Sequence, residues 1–541
     1  MKKYFLLLTL LFISLFSYSQ VTPEANELDV IFKSYTGWFV DFIFYEIRFT
    51  DTFRIPWVLI VLIGGAVYFT IYFRFVNIRH FWTAIKVVKG DYADVEQHDV
   101  DKLYKDVSIE EQQEHIEEIL EEDKTEGEVS HFQALTAALS ATVGLGNIAG
   151  VAVALSIGGP GATFWMIVAG IFGMASKFTE CTLGVKFRDI GPDGTVYGGP
   201  MYYLKKGLGE KEMIIFGKVL AVIFAIFTVG GSLGGGNMFQ SNQAAAQFNQ
   251  LFGLQDTNAS VYFGIVMAIV VAIVIIGGIK RIARVTEKVV PFMAGIYALG
   301  ALIIIGINYQ YIGTAFSLIF EGAFTGPGIG GGFVGVLIQG IRRGAFSNEA
   351  GIGSAAIAHS AVKTKYPASE GIVSLLEPFI DTVVICTMTA LVIIITNIDH
   401  NILEYGQSVT GGVELTAIAF DSAIPHFSIV LTIAVILFAF STMISWSYYG
   451  MQGWAYLFGR SKKAEMIYKF IFVVFTYIGA TISLGSVVDF SDAMIFAMAV
   501  PNIIGLVILA PIVRTELKEY MHAIKIKKDA LKEGLEDVAK M

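Results

Sequence analysis

The chain has 541 residues, 55% of them hydrophobic and 16% charged, with a formal net charge of −9 and a mean hydropathy of +0.63. Soluble domains carry about 25% charged residues, so one soluble core cannot hide this much apolar chain; an ordinary soluble enzyme and a disordered chain are both excluded. The acid is local: residues 91–130 are far richer in Asp and Glu than in Lys, the remainder is slightly basic, and no stretch has the basic character that nucleic acid requires.

Residues 1–20 read as a signal peptide, with Lys2 and Lys3 ahead of the apolar run Phe5–Phe16 and the small, polar end Ser17–Gln20. The alternative is an extra membrane helix, for which the run is short. Residues 21–56 form an outer tail in which Trp38, Phe39 and Phe42 alternate with Lys33, Asp41 and Arg48, the pattern of a helix lying in the membrane interface. Trp57–Phe73 is uncharged and predicts an extra transmembrane helix over 57–76. Residues 77–130 make a cytoplasmic acidic linker, in which a capping box at Ser108–Glu111 opens a short charged helix that reads as a solvated spacer. Cys181 and Cys386 lie in apolar runs and suggest neither a disulfide nor a metal site.

Ten further spans are expected at 132–157, 161–185, 213–236, 260–279, 289–308, 332–360, 371–396, 426–450, 467–485 and 493–513, giving an all-α membrane protein with eleven transmembrane helices. Charge in the connections sets the orientation. Lys and Arg number 6, 6, 4, 2, 4 and 7 in 77–130, 177–211, 280–288, 361–370, 457–469 and 514–541. They number zero in 241–258, 309–331, 397–425 and 485–492. The first set is therefore cytoplasmic, with the N-terminus outside and residues 514–541 a cytoplasmic tail.

Two spans carry glycine clusters at mid-membrane: Gly144-Leu145-Gly146-Asn147 and Ser347-Asn348-Glu349-Ala350-Gly351-Ile352-Gly353. Glycine costs ~1 kcal/mol inside a helix, so both spans should unwind locally, which is tolerated only beside a cavity or within protein. Apart from the first span, the broken helices open two halves of five spans each, 131–308 and 331–513, of opposite direction. Such a 5+5 inverted repeat places a transport site between the breaks.

Unwinding frees carbonyls of 140–143, among them Ser140 and Val143, which suit a hard cation. It also frees N–H groups at 144–147 that suit a carboxylate. The competing reading is glycine placed for tight helix packing. Charges inside the bilayer must pair, so Glu180, Arg342, Arg343, Glu349, Glu377 and Asp381 either hold the unwound segments or form a cytoplasmic gate. Helical spacing puts Asn237, Gln240 and Ser241 on one face, expected to border the cavity. Ser441, Thr442, Ser445 and Trp446 cluster on one span, and Trp446 is placed to cap a small pocket.

Thr142–Asn147 resembles the first broken helix of sodium symporters with the leucine-transporter-type fold, and Phe346–Gly353 resembles their sixth. Gly158–Gly173, Gly198–Tyr203 and Ser347–Ala355 are similar to signatures of the alanine/glycine:cation symporter family. The resemblance covers residues 55–515 and implies a sodium-coupled importer of small neutral amino acids, alanine and glycine, in the cell inner membrane. It implies substrate contacts from Thr142, Gly144, Gly146, Asn147, Gln240, Ser347, Gly351 and Trp446. A sodium site is implied at Ser140, Val143 and the Thr442 hydroxyl. No HExxH or GxxxxGK[ST] motif occurs, so no enzymatic chemistry or organic cofactor is expected and an ion gradient supplies the drive. Proton coupling through Glu180 or Glu349 is the alternative on the same fold.

Overall fold

The computed structural model describes residues 25–50, 53–97, 127–192, 194–254, 257–325, 332–407, 412–482 and 484–540. The expected signal peptide and most of the acidic linker lie outside the described residues. Residues 21–56, expected as an outer tail, contain helix α1 (Ala25–Ile43), on which Tyr35, Trp38 and Phe42 are exposed. A hairpin that the sequence pattern did not suggest follows it, pairing Glu46–Arg48 with Arg54–Pro56.

Each of the eleven expected spans falls on a helix or a helix pair. In chain order these are α2 (Trp57–Tyr72), then the pair α3 (His131–Thr142) and α4 (Val151–Gly158), then α5 (Gly161–Lys186). Next come α6 (Ile214–Leu233), continued by α7 (Phe239–Phe252), then α8 (Ala259–Ile275) and α9 (Gly278–Ile307). The second half has α10 (Phe333–Asn348) with α11 (Ala355–His359), then α12 (Pro367–Val373) running on into α13 (Thr387–His400). It closes with α14 (Ser428–Phe458), α15 (Lys462–Thr481) and α16 (Leu484–Lys540).

Among the described residues, seven helical segments are long and apolar enough to cross a membrane, and the pair α3–α4, bent by 50°, makes an eighth. Helices α2 and α8 are apolar but shorter.

The interior is held by α5, which packs along α10, α12 and α2. Glycine makes the closest of these contacts possible. A Cβ on Gly340 would lie 2.5 Å from the Ala162 carbonyl oxygen, and one on Gly371 would lie 2.8 Å from that of Phe178. Helices without room for side chains between them approach through dispersion contacts, which replace the hydrophobic drive that lipid removes.

Both expected breaks are present, built differently. In the first, α3 ends at Thr142, Val143 turns away (φ −74, ψ 87), and a π-helical turn over Gly146–Gly150 restarts the helix. In the second, Glu349 takes left-handed geometry (φ 55), followed by Gly351 (φ 82) and Gly353 (φ 95). Two of these three positions are glycine, which enters that region without steric cost.

Candidate functional site

The two breaks meet. A Cβ on Gly146 would lie 3.4 Å from the Ser347 Cα, and one on Gly144 would lie 2.5 Å from the Thr442 hydroxyl. Between them is a void of about 10 Å³ whose wall includes Thr142, Gly144, Gly146, Gln240, Ser347 and Trp446, with Glu349, Phe346 and Ile495 beside them. That is space for about one water, so the protein is closed around this point.

The polar groups of the void are only partly used. Gln240 donates to the Gly235 carbonyl at 3.0 Å, while its own Oε1 is buried with no partner. The Trp446 indole donates to Glu349 Oε1 at 3.1 Å, and Ser354 donates to the other carboxylate oxygen. These bonds hold Glu349 in a backbone region that a non-glycine residue enters at a cost of roughly 1–2 kcal/mol. Beside the void, the Thr442 hydroxyl donates to the Ser140 carbonyl at 3.0 Å, and the Ser140 hydroxyl donates to the Ser441 carbonyl at 2.7 Å. Two of the oxygens expected around a cation are therefore adjacent.

Two expected substrate contacts lie elsewhere. Asn147 accepts the Gly144 N–H at 2.8 Å and donates to Asp381 Oδ1 at 2.6 Å, so the side chain closes its own break instead of facing the void. Gly351 turns away after the left-handed step at Glu349. Its carbonyl accepts from Asn502 at 2.9 Å, and a Cβ there would point at Ile503 and Leu62. The polar stripe also divides. Asn237 donates to the Phe472 carbonyl and Ser241 to that of Thr476, both on α15, each at 2.7 Å. A π-helical turn at Gly234–Met238 changes the helical phase there, and only Gln240 reaches the void.

The buried charges form three groups instead of one gate. Arg342 and Arg343 both donate to Asp492 Oδ2 at 2.8 Å, on the side of the break that the charge count places outside. Asp381 joins the breaks: it accepts from Asn147 and from Thr382, whose hydroxyl accepts from Asn348 at 3.0 Å. The third group surrounds Lys177, fully buried, whose Nζ is 2.9 Å from Glu377 Oε1 and 3.9 Å from Glu180 Oε1. Glu180 in turn accepts from Asn502, the residue that holds Gly351, so it does fasten the second break. Glu377 and Asp381, four residues apart in sequence, diverge to Lys177 and Asn147 across a π-helical stretch, Phe379–Cys386.

Sequence reasoning overlooked Lys177, Asp492 and Asn502. A lysine three residues before Glu180 in an apolar span was the available signal for the first, since intramembrane charges pair. Asp492 and Asn502 lie far along the chain from their partners and carried no such signal.

A model of the sodium:alanine symporter family matches residues 42–533. The sodium/alanine symporter AgcS of Methanococcus maripaludis is 40% identical over 86% of this chain and 94% of its own length. Two Bacillus subtilis chains are similar over most of their length. One, "Probable sodium/glutamine symporter GlnT", is 31% identical over 87% of this chain and 89% of its own. The other, YrbD, provisionally named a sodium/proton-dependent alanine carrier, is 36% identical over 73% and 82%. Among solved structures, MhsT in complex with L-phenylalanine superposes with a TM-score of 0.50 at 15% identity, over 74% of this chain and 99% of that one, a likeness of fold.

Proposed function

The chain belongs to the sodium:alanine symporter family, and on that premise we propose that it imports alanine and glycine with Na⁺ by alternating access. It is a multi-pass membrane protein carrying amino acids with a coupled cation, and not an enzyme. The observation that carries the finer reading is convergence: Thr142, Gly144, Gly146, Gln240, Ser347 and Trp446 surround one void, and the Thr442–Ser140 contact adjoins it.

In this reading the substrate carboxylate lies at the head of the half-helix that starts at Gly146, where the helix dipole is positive. The ammonium group faces the unpartnered Gln240 Oε1 and the Glu349 carboxylate. Na⁺ takes the carbonyls of Ser140 and Val143 and the hydroxyl of Thr442. Trp446 limits side-chain size. The chain crosses the membrane eleven times, as one extra helix and two inverted halves, with its C-terminus in the cytoplasm. Arg343–Asp492 fastens the outer side and Lys177–Glu377 the inner.

One Na⁺ entering down 100 mV supplies ~2.3 kcal/mol and a tenfold gradient ~1.4 kcal/mol, enough for about 500-fold accumulation of a zwitterion. Proteoliposomes given radiolabelled alanine with a Na⁺ gradient, or with K⁺ in its place, test the reading. Equal uptake in both overturns it. The second reading, H⁺ in place of Na⁺, is favoured by a carboxylate, Glu349, in the wall of the void. It predicts uptake driven by a pH gradient alone.

A further inference from the structure

A continuous row of buried ionisable groups runs from below the site to the end of the fold that the charge count assigns to the cytoplasm. His131, the first residue of α3, places Nε2 on Glu96 and Nδ1 on Glu370. Glu370 lies on α12, and its other oxygen meets Nδ1 of His359, the last residue of α11. His359 Nε2 lies 3.4 Å from Glu377 Oε2, and Glu377 is bound to Lys177. The inner ends of both interrupted helices are thus fastened to one carboxylate.

The hydrogen-bond capacity of the two rings is decisive. A neutral imidazole has one N–H and one lone pair; an imidazolium has two N–H groups. His131 is hydrogen-bonded to a carboxylate at both nitrogens, and His359 at Nδ1 with a second carboxylate oxygen 3.4 Å from Nε2, so a neutral ring would set a lone pair toward one of them. Charge gives the same count. Glu96, Glu370 and Glu377 face one lysine, Lys177, which Glu180 shares, so charge on both rings reduces a buried excess of negative charge, and buried uncompensated charge is costly.

The other ionisable groups facing the array do not alter this. Tyr520 of α16 donates to Glu96 at 2.7 Å, Glu180 has Lys177 and Asn502, and Glu349 has Ser354 and Trp446. Tyr449 of α14 lies near Glu377, and Glu287 of α9 accepts from Gln133. Glu128 and Lys363 stand with His131 and Glu96 in the wall of a pocket of about 410 Å³, which gives protons a route to water. The weakest link is internal: neither His359 Nε2 nor Glu377 Oε2 has a hydrogen-bond partner.

We propose that Glu96, His131, Glu370, His359 and Glu377 form a two-proton binding site that latches the inner ends of both broken helices. Protons on both rings hold α3 and α11 to Glu370. Loss of a ring proton to cytoplasmic water through the pocket leaves a carboxylate facing a lone pair, and α3 swings away. This deepens the transport reading by adding a proton-controlled inner latch, but its test does not depend on which ion drives uptake.

The full chain in nanodiscs, with spin labels at Phe132→Cys on α3 and Lys462→Cys at the start of α15, reports the separation by pulsed electron resonance. Both positions are exposed and outside the array. Between pH 6 and pH 9 the separation should lengthen by several ångström, and Glu370→Gln, whose amide can donate to a neutral ring, should abolish that response. Histidine-labelled protein without spin labels gives an independent readout. At pH 6 its ¹⁵N spectrum should show two rings protonated on both nitrogens, assigned by their loss in His131→Asn and His359→Asn. An unchanged separation, a response that survives Glu370→Gln, or a neutral ring at pH 6 would each overturn the latch. Na⁺-driven alanine uptake with a pH-independent separation defeats this inference alone. A pH-dependent separation with Na⁺-independent uptake defeats only the reading it rests on.

Discussion

The two interrupted helices leave the α-helix by different means, and the difference bears on what each can hold. The first break is neutral and self-closing: a π-helical turn restarts the chain, and the Asn147 amide takes up the Gly144 N–H. The second is built on positive φ and carries a carboxylate, held by an indole and a hydroxyl. A neutral break rich in carbonyls suits a cation on one side and, at its helix head, a carboxylate on the other. An acidic break repels the carboxylate and attracts an ammonium group. On the proposed reading, the asymmetry would give a zwitterion a direction across the void.

Crowding the seam between the breaks should have the largest effect. Gly146→Val puts methyl groups where a bare Cβ already lies 3.4 Å from Ser347. Alanine binding should fall by about 100-fold, the top of the ~1–3 kcal/mol that overpacking a tight site costs, because the added methyl groups also take the substrate's space. Normal alanine binding by a monodisperse Gly146→Val protein would remove the substrate from the seam.

Next is the neutral side. Thr442→Ala should raise the Na⁺ concentration for half-maximal alanine uptake about five- to 150-fold, the equivalent of ~1–3 kcal/mol for a lost buried hydroxyl. The check is a Na⁺ titration at fixed membrane potential, and superimposable curves would exclude Thr442 as a ligand. The acidic side should respond in the complementary way. Glu349→Gln should weaken alanine about tenfold, as expected for a charge-assisted bond worth ~1.5 kcal/mol, with the Na⁺ titration almost unmoved. Equal shifts in both titrations would mean that the breaks do not divide the labour.

The smallest effect is on selectivity. Trp446→Ala should weaken alanine uptake by a few-fold while admitting larger neutral amino acids, read from competition against labelled alanine. Unchanged competition in an active protein would take Trp446 out of the pocket.

The sequence by itself determined where the chain is helical within its apolar regions and where those helices break. Apolar runs of membrane length and mid-span glycine clusters are local signals, and Gly144–Asn147 and Ser347–Gly353 carried them. It also marked most of the void, because Thr142, Gly146 and Ser347 lie in or beside the breaks. Only the tertiary structure decided which way each side chain faced. Asn147 and Gly351 belong to broken segments yet turn from the void, since a π-helical turn and three positive φ values re-aim the chain in ways that a 3.6-residue period cannot express. The same is true of the charges. Arg343 found Asp492, Lys177 found Glu377, and His131 found Glu370, each across large sequence separations. A buried charge must have a partner, but composition and period hold no record of which distant residue the packing brings to it.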